Sequence, residues 1–102
     1  MGIDVQWQDE DGIKLGEVHD SGRLLARFIE SSDHDGSKCL GFIDPWGDTF
    51  FNRRQIPVLI EELRGALEPG CPPELRRQIE SVVAIGGKAL DEVHTYLMFV
   101  GD

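Results

Sequence analysis

The groups in this chain whose chemistry could be put to work are three histidines (His19, His34, His94), two cysteines (Cys39, Cys71) and two short acidic loops. The loop "SSDHDG" resembles part of a calcium-binding loop. With Gly36 at the sixth position, Asp33 and Asp35 fill the third and fifth, Ser31 the first and Phe42 the twelfth. The twelfth position must supply a bidentate carboxylate, so the pattern fails. The loop "DEDG", with Gly12 at the sixth position, places Trp7 first and Val18 twelfth and fails in the same way. No C-x-x-C pair or His/Cys spacing of a zinc site is present. His19, His34, Asp33 and Asp35 could converge in space, but surface histidines explain them as well. The expectation is no bound metal and no cofactor.

Catalytic patterns fare no better. "IGGKAL" has Val82 where a phosphate loop needs its first glycine and Ala89 where it needs Ser or Thr. "HDSG", at 19–22, sets His, Asp and Ser side by side, whereas a triad is assembled from separate elements that converge. Either cysteine could act as a nucleophile beside a histidine, but nothing local activates one. No catalytic residue is assigned, and the chain reads as a non-enzyme.

What remains is a candidate for recognition. In "GFIDPWGDTFFN", at 41–52, Asp44 can accept turn hydrogen bonds, Pro45 presets φ and Gly47 supplies a positive φ. A tight turn requires none of this from Trp46, and tryptophan is enriched among interface anchors. Trp46, Asp44, Asp48 and Arg53 are therefore the candidate partner-binding residues. A Trp46 folded back over the core is the competing reading. Arg53 and Arg54 follow the segment directly. Surface pairing with nearby acids is the plainer account of them, and an anion or carboxylate clamp the functional one.

The elements that must position these residues follow from periodicity. Ile3, Val5 and Trp7 alternate with Asp4, Gln6 and Gln8, and "IKLGEV" alternates again, which predicts a hairpin over 2–18. Residues 23–30 fit a short helix or an irregular strand. Residues 31–37 read as a polar loop, and 39–52 as a second hairpin about the Pro45–Gly47 turn. Ile56, Leu59, Ile60, Leu63, Ala66 and Leu67 form a helical stripe, with Pro57 suited to the first turn. After the break "EPGCPP" a second helix runs from about 73 to 92, in which Gly86 and Gly87 mark an end, a kink or a close approach. "HTYLMFVGD" alternates with both sets largely apolar, predicting a central strand covered on both faces. The core is expected to include Phe42, Phe50, Leu59, Leu63, Ile79 and Leu97.

Composition narrows the partners. With 102 residues, 40% hydrophobic, the chain suits a single domain over 1–102. Net charge is −9, and 11 of the 19 acidic residues lie before Arg53. Nucleic acid and anionic membranes need a basic surface and are not expected as partners, whereas a basic protein fits the sign. No apolar run is long enough to cross a bilayer and no signal-peptide pattern opens the chain, so the expected location is cytoplasmic. The cysteines are expected as free thiols.

"LGFIDPWGDTFFNRRQIPVLIEEL", together with "HTYLMFVGD", resembles a pattern of small, mostly uncharacterised bacterial proteins. In these an FIDP-aromatic-GDT-x-FN segment leads into an IP-x-LI-x-EL helix and the chain closes on a strand ending in FIGD or similar. The likeness covers roughly a third of the chain and does not reach 12–35. It implies an immunity-type partner of a toxin and supplies no catalytic residues to carry over. The combined expectation is an α+β domain, an antiparallel sheet of about five strands packed against two helices in the order strands, helix, helix, strand. The leading function is a protein-binding module, an immunity or regulatory protein that blocks a basic partner. The alternative is a small-molecule-binding or catalytic domain with a pocket near Trp46, Asp48 and Arg53, and a homodimeric structural component is a third reading.

Overall fold

In the computed structural model, which describes residues 2–31, 34 and 36–101, the hairpin 2–18 forms as β1 (Asp4–Asp9) and β2 (Lys14–Val18). The strands pair antiparallel, with Val5 opposite Val18 and a bulge between Trp7 and Gln8. Their turn is held by Asp9, whose Oδ1 accepts the N–H groups of Asp11 and Ile13, while Gly12 adopts φ +81°. Trp7 packs across Gly16, where a Cβ would meet its ring at 3.3 Å. Its indole N–H is buried with no acceptor among the described residues, which costs stability there.

Residues 23–30 resolve as helix, α1 (Leu24–Ser31), preceded by a 3₁₀ turn at Ser21–Arg23. Asp20 decides this. Its carboxylate accepts the N–H groups of Leu25 and Ala26, and also that of Ile3, at 2.7–2.9 Å. One side chain thus satisfies free donors at the helix start and ties the helix to the chain leading into β1. Leu25, Ala26 and Ile29 are then buried.

The second hairpin does not form. Leu40–Phe42 is a 3₁₀ turn, and β3 (Asp48–Phe51) pairs with β4 (Thr95–Val100) instead of with 39–43. The reason is Glu62 of α2 (Ile56–Gly65). Its carboxylate accepts the N–H groups of Lys38, Cys39 and Leu40, donors that a strand would give to a neighbour. Cys39, Leu40 and Ile43 sink into the core while Phe42 turns outward. Asn52 then prepares α2, its Oδ1 accepting from the N–H groups of Arg54 and Gln55.

α3 (Pro73–Asp91) runs unbroken through Gly86 and Gly87. Gly86 is buried, and a Cβ there would stand 3.2 Å from Ile60 Cδ1, so the glycine is a close approach of α2 to α3. The sheet order is β2-β1-β4-β3, all antiparallel. Among the described residues there are four strands and three helices rather than about five and two, because 39–43 is not a strand and 24–31 is a helix.

β4 is an inner strand, as its pattern requires, but it is covered on one face only. Thr95, Leu97 and Phe99 are buried, whereas Tyr96, Met98 and Val100 are half-buried. Leu97 and Phe99 join Val5, Phe51, Leu59, Leu63 and Ile79 in one core on the helix side of the sheet. Phe42 and Phe50, expected in that core, are outside it. Consecutive strand residues face opposite ways, so only one of Phe50 and Phe51 can point inward, and it is Phe51. No described helix is long and apolar enough to cross a membrane.

Candidate recognition surface

The face of the sheet opposite the helices is organised in rows by the strand register. Asp48, Val100 and Asp4 lie across it in one row, Phe50, Met98, Gln6 and Glu17 in the next, and Tyr96, Gln8 and Lys14 in the third. Its β3–β4 half is apolar apart from Asp48 at one end. Its β1–β2 half is a polar ladder, in which Gln8 donates to Gln6 and Gln6 to Glu17 Oε2, while Lys14 Nζ lies 2.9 Å from Glu17 Oε1. The Lys14 ammonium holds the Glu17 carboxyl below its ordinary value against the opposing effect of burial, with further help from Gln6 and His19.

The turn leading into β3 borders this face. The Trp46 N–H donates to Asp44 Oδ1, and Gly47 N–H to the Asp44 carbonyl. Thr49 Oγ1 accepts from the Asp44 N–H, and Gly101 N–H donates to the Gly47 carbonyl. The backbone is thereby fixed against the end of β4, where a Cβ on Gly101 would fall 2.5 Å from the Pro45 oxygen. Trp46 is nevertheless 74% exposed, Phe42 74% and Phe50 57%. Three aromatic side chains within nine residues are therefore offered to solvent by a backbone held in place.

Of the residues expected to bind a partner, Asp44, Trp46 and Asp48 come together in this turn and at the start of β3. Arg53 does not join them. It lies in the turn beyond the other end of β3, with the length of that strand between it and the Asp44–Gly47 turn. Arg53 lines a different cleft of about 320 Å³ with Arg54, His94 and Tyr96. The residues missed from sequence are Phe42 and Phe50, assigned to the core, and Tyr96, Met98 and Val100. The last three were visible as the second set of the β4 alternation, but the pattern alone does not say whether a second layer covers them.

Asp4, Glu17 and His19 place ligand-type atoms within 4.8 Å of one another. The imidazole sits between the two acids, Nδ1 3.5 Å from Asp4 Oδ2 and Nε2 3.2 Å from Glu17 Oε1, and Lys14 shares that Glu17 oxygen. The ring thus presents a different nitrogen to each carboxylate, and a metal ion drawn in there would have to displace the Lys14 ammonium from Glu17. His34 instead packs edge-on against Phe28. Asp33 and Asp35, with part of the calcium-like loop, lie outside the described residues. The Cys39 thiol is buried and directed to the Gln55 carbonyl. Burial, and then the Glu62 charge, push its pKa up, the opposite of what activates a nucleophile. No family model, curated protein or solved structure matches the chain.

Proposed function

We propose that the chain is a non-enzymatic protein-binding module that blocks a basic partner with the open face of its sheet and the Asp44–Asp48 turn. The observation that carries this reading is the exposure of Phe42, Trp46 and Phe50 on one anchored segment. Exposed aromatic clusters on a small protein mark interaction sites, and tryptophan buried on binding is a typical anchor. Asp44 and Asp48 flank the tryptophan, and Asp4 and Glu17 lie across the same face. Such a surface steers a basic protein and accelerates its encounter. A second copy of the chain would bring two surfaces of a protein with net charge −9 together, so a homodimer through this face is the weaker reading. The resemblance of 40–63 to small bacterial proteins suggests an immunity-type role in the cytoplasm. The small-molecule alternative is weakened because Trp46 and Arg53 stand at opposite ends of β3.

The test is parallel affinity capture from a native lysate with the wild-type chain and a Trp46→Ala/Phe50→Ala double variant matched to it in folded structure by circular dichroism. The expected result is a basic protein retained by the wild type, released by raised salt and lost by the double variant. A captured set unchanged by the double substitution overturns the reading, as does a principal captured partner that is itself acidic.

A further inference from the structure

Within this face, beside the β1–β2 turn, lies a cleft of about 570 Å³ whose lining includes Gln8, Asp9, Glu10, Asp11, Phe50 and Tyr96. We propose that this cleft receives an arginine side chain of the basic partner. The inference rests on the protein-binding reading and adds what the surface recognises.

The lining joins two kinds of group. Phe50 and Tyr96 supply aromatic rings, and Phe50 is more than half exposed. Asp9, Glu10 and Asp11 supply three carboxylates in succession. A planar cation is attracted to aromatic faces and, if it is a guanidinium, carries donors in a fork that matches carboxylate oxygens. Among the described residues, the neighbouring Lys14 and His94 leave acceptor oxygens of these acids open. Lys14, the register partner of Gln8, is directed to Glu17. His94 Nδ1 lies 3.5 Å from Glu10 Oε2 alone. Asp9 commits its Oδ1 to the Asp11 and Ile13 N–H groups, which leaves Oδ2 for a guest.

Gln8 also lines the cleft, is only 9% exposed and is held through its amide nitrogen, which donates to Gln6 Oε1 at 2.7 Å. Its Oε1 accepts no hydrogen bond among the described residues and, unlike the Trp7 indole N–H, is not sealed from solvent, so it stands open to water or to a donor on a guest. Three carboxylates and two rings together select a cationic donor with a flat face. An aliphatic side chain would not engage the carboxylates, and an acid would be repelled.

The probe is N-acetyl-arginine methylamide, titrated into the ¹⁵N-labelled full chain, with the citrulline analogue as the neutral isostere. Arginine is expected to give saturable, millimolar-range shifts at the amides of Gln8, Glu10, Asp11, Phe50 and Tyr96, and citrulline none that saturate. Asp11→Asn, at an exposed turn position, should weaken arginine by about fivefold, the effect of one carboxylate at ion-pair distance in a solvated cleft. Glu80→Gln, exposed on α3, should leave it unchanged. Equal shifts from citrulline overturn the proposal, as do arginine shifts that spread over the acidic surface without saturating. The captured partner separates this inference from the reading beneath it. A partner lost by Trp46→Ala but held at full affinity by Asp11→Asn overturns the arginine cleft and leaves the recognition face standing. A partner lost by neither overturns the face itself.

Discussion

Replacing Glu62 should release the segment that carries the recognition aromatics. Glu62 Oε1 accepts from Cys39 and Leu40 at 3.0 Å each, and Oε2 accepts from Lys38 at 2.6 Å. Cys39 and Leu40 are buried, whereas Lys38 is exposed. In Glu62→Ala, water can reach the Lys38 N–H, but the other two donors lose their acceptor inside the protein. An unsatisfied buried donor costs about 1–3 kcal/mol. With partial relaxation, the expected loss is about 2–4 kcal/mol in a urea titration. Glu62→Gln keeps an oxygen for Cys39 and Leu40 but turns an NH₂ group toward the Lys38 N–H, so its loss should be smaller, about 1–2 kcal/mol. The pH dependence gives an independent check. Burial opposes ionisation of Glu62, but the three backbone donors outweigh it and hold its carboxyl below the ordinary value of 4.5. Below 4.5 the unfolded chain therefore binds more protons here than the folded one. The contribution is fully present above that pH and is lost as pH falls through the depressed folded value. Glu62→Gln should flatten this acid limb of the stability profile. A loss under about 1 kcal/mol for Glu62→Ala, with an unchanged acid limb, would show that this carboxylate does not pin residues 38–40.

Trp46→Ala should alter stability by no more than about 0.5 kcal/mol, the range of exposed sites, while abolishing partner capture; a loss of ~3 kcal/mol or more would place the ring in the core. Leu63→Ala, at a fully buried position, should cost about 2–5 kcal/mol by denaturant titration, and under about 1 kcal/mol would contradict the α2 packing. Removing 95–102 deletes the strand that joins β1 to β3, so the product should show no cooperative thermal transition by circular dichroism. Asp20→Ala should cost roughly 2–4 kcal/mol by the same titration, combining a lost helix cap with an unsatisfied Ile3 N–H, and a neutral result would refute its part in fixing α1.

The local patterns in the sequence determined much of the framework. The alternation of 3–8 and the turn at 9–12 specify β1 and β2, because strand period and turn chemistry are properties of neighbouring residues. The stripe from Ile56 to Leu63 specifies the buried face of α2 for the same reason, and the Asp44–Gly47 turn was legible from its Asp, Pro and Gly. Tertiary structure alone decided the partners of these pieces. Residues 39–43 have a strand-like composition, yet a carboxylate some twenty residues away takes the N–H groups of Cys39 and Leu40. Segment 24–31, undecided by its own period, becomes a helix when Asp20 caps it and Leu25 and Ile29 find the core. Gly86 carries no instruction until Ile60 lies against it. The exposed face was the least legible feature. Tyr96, Met98 and Val100 have the apolar character of buried residues, and the local alternation is the same whether or not a second layer covers them. Their exposure follows from where the three helices lie, all packed into one core on the other side of the sheet.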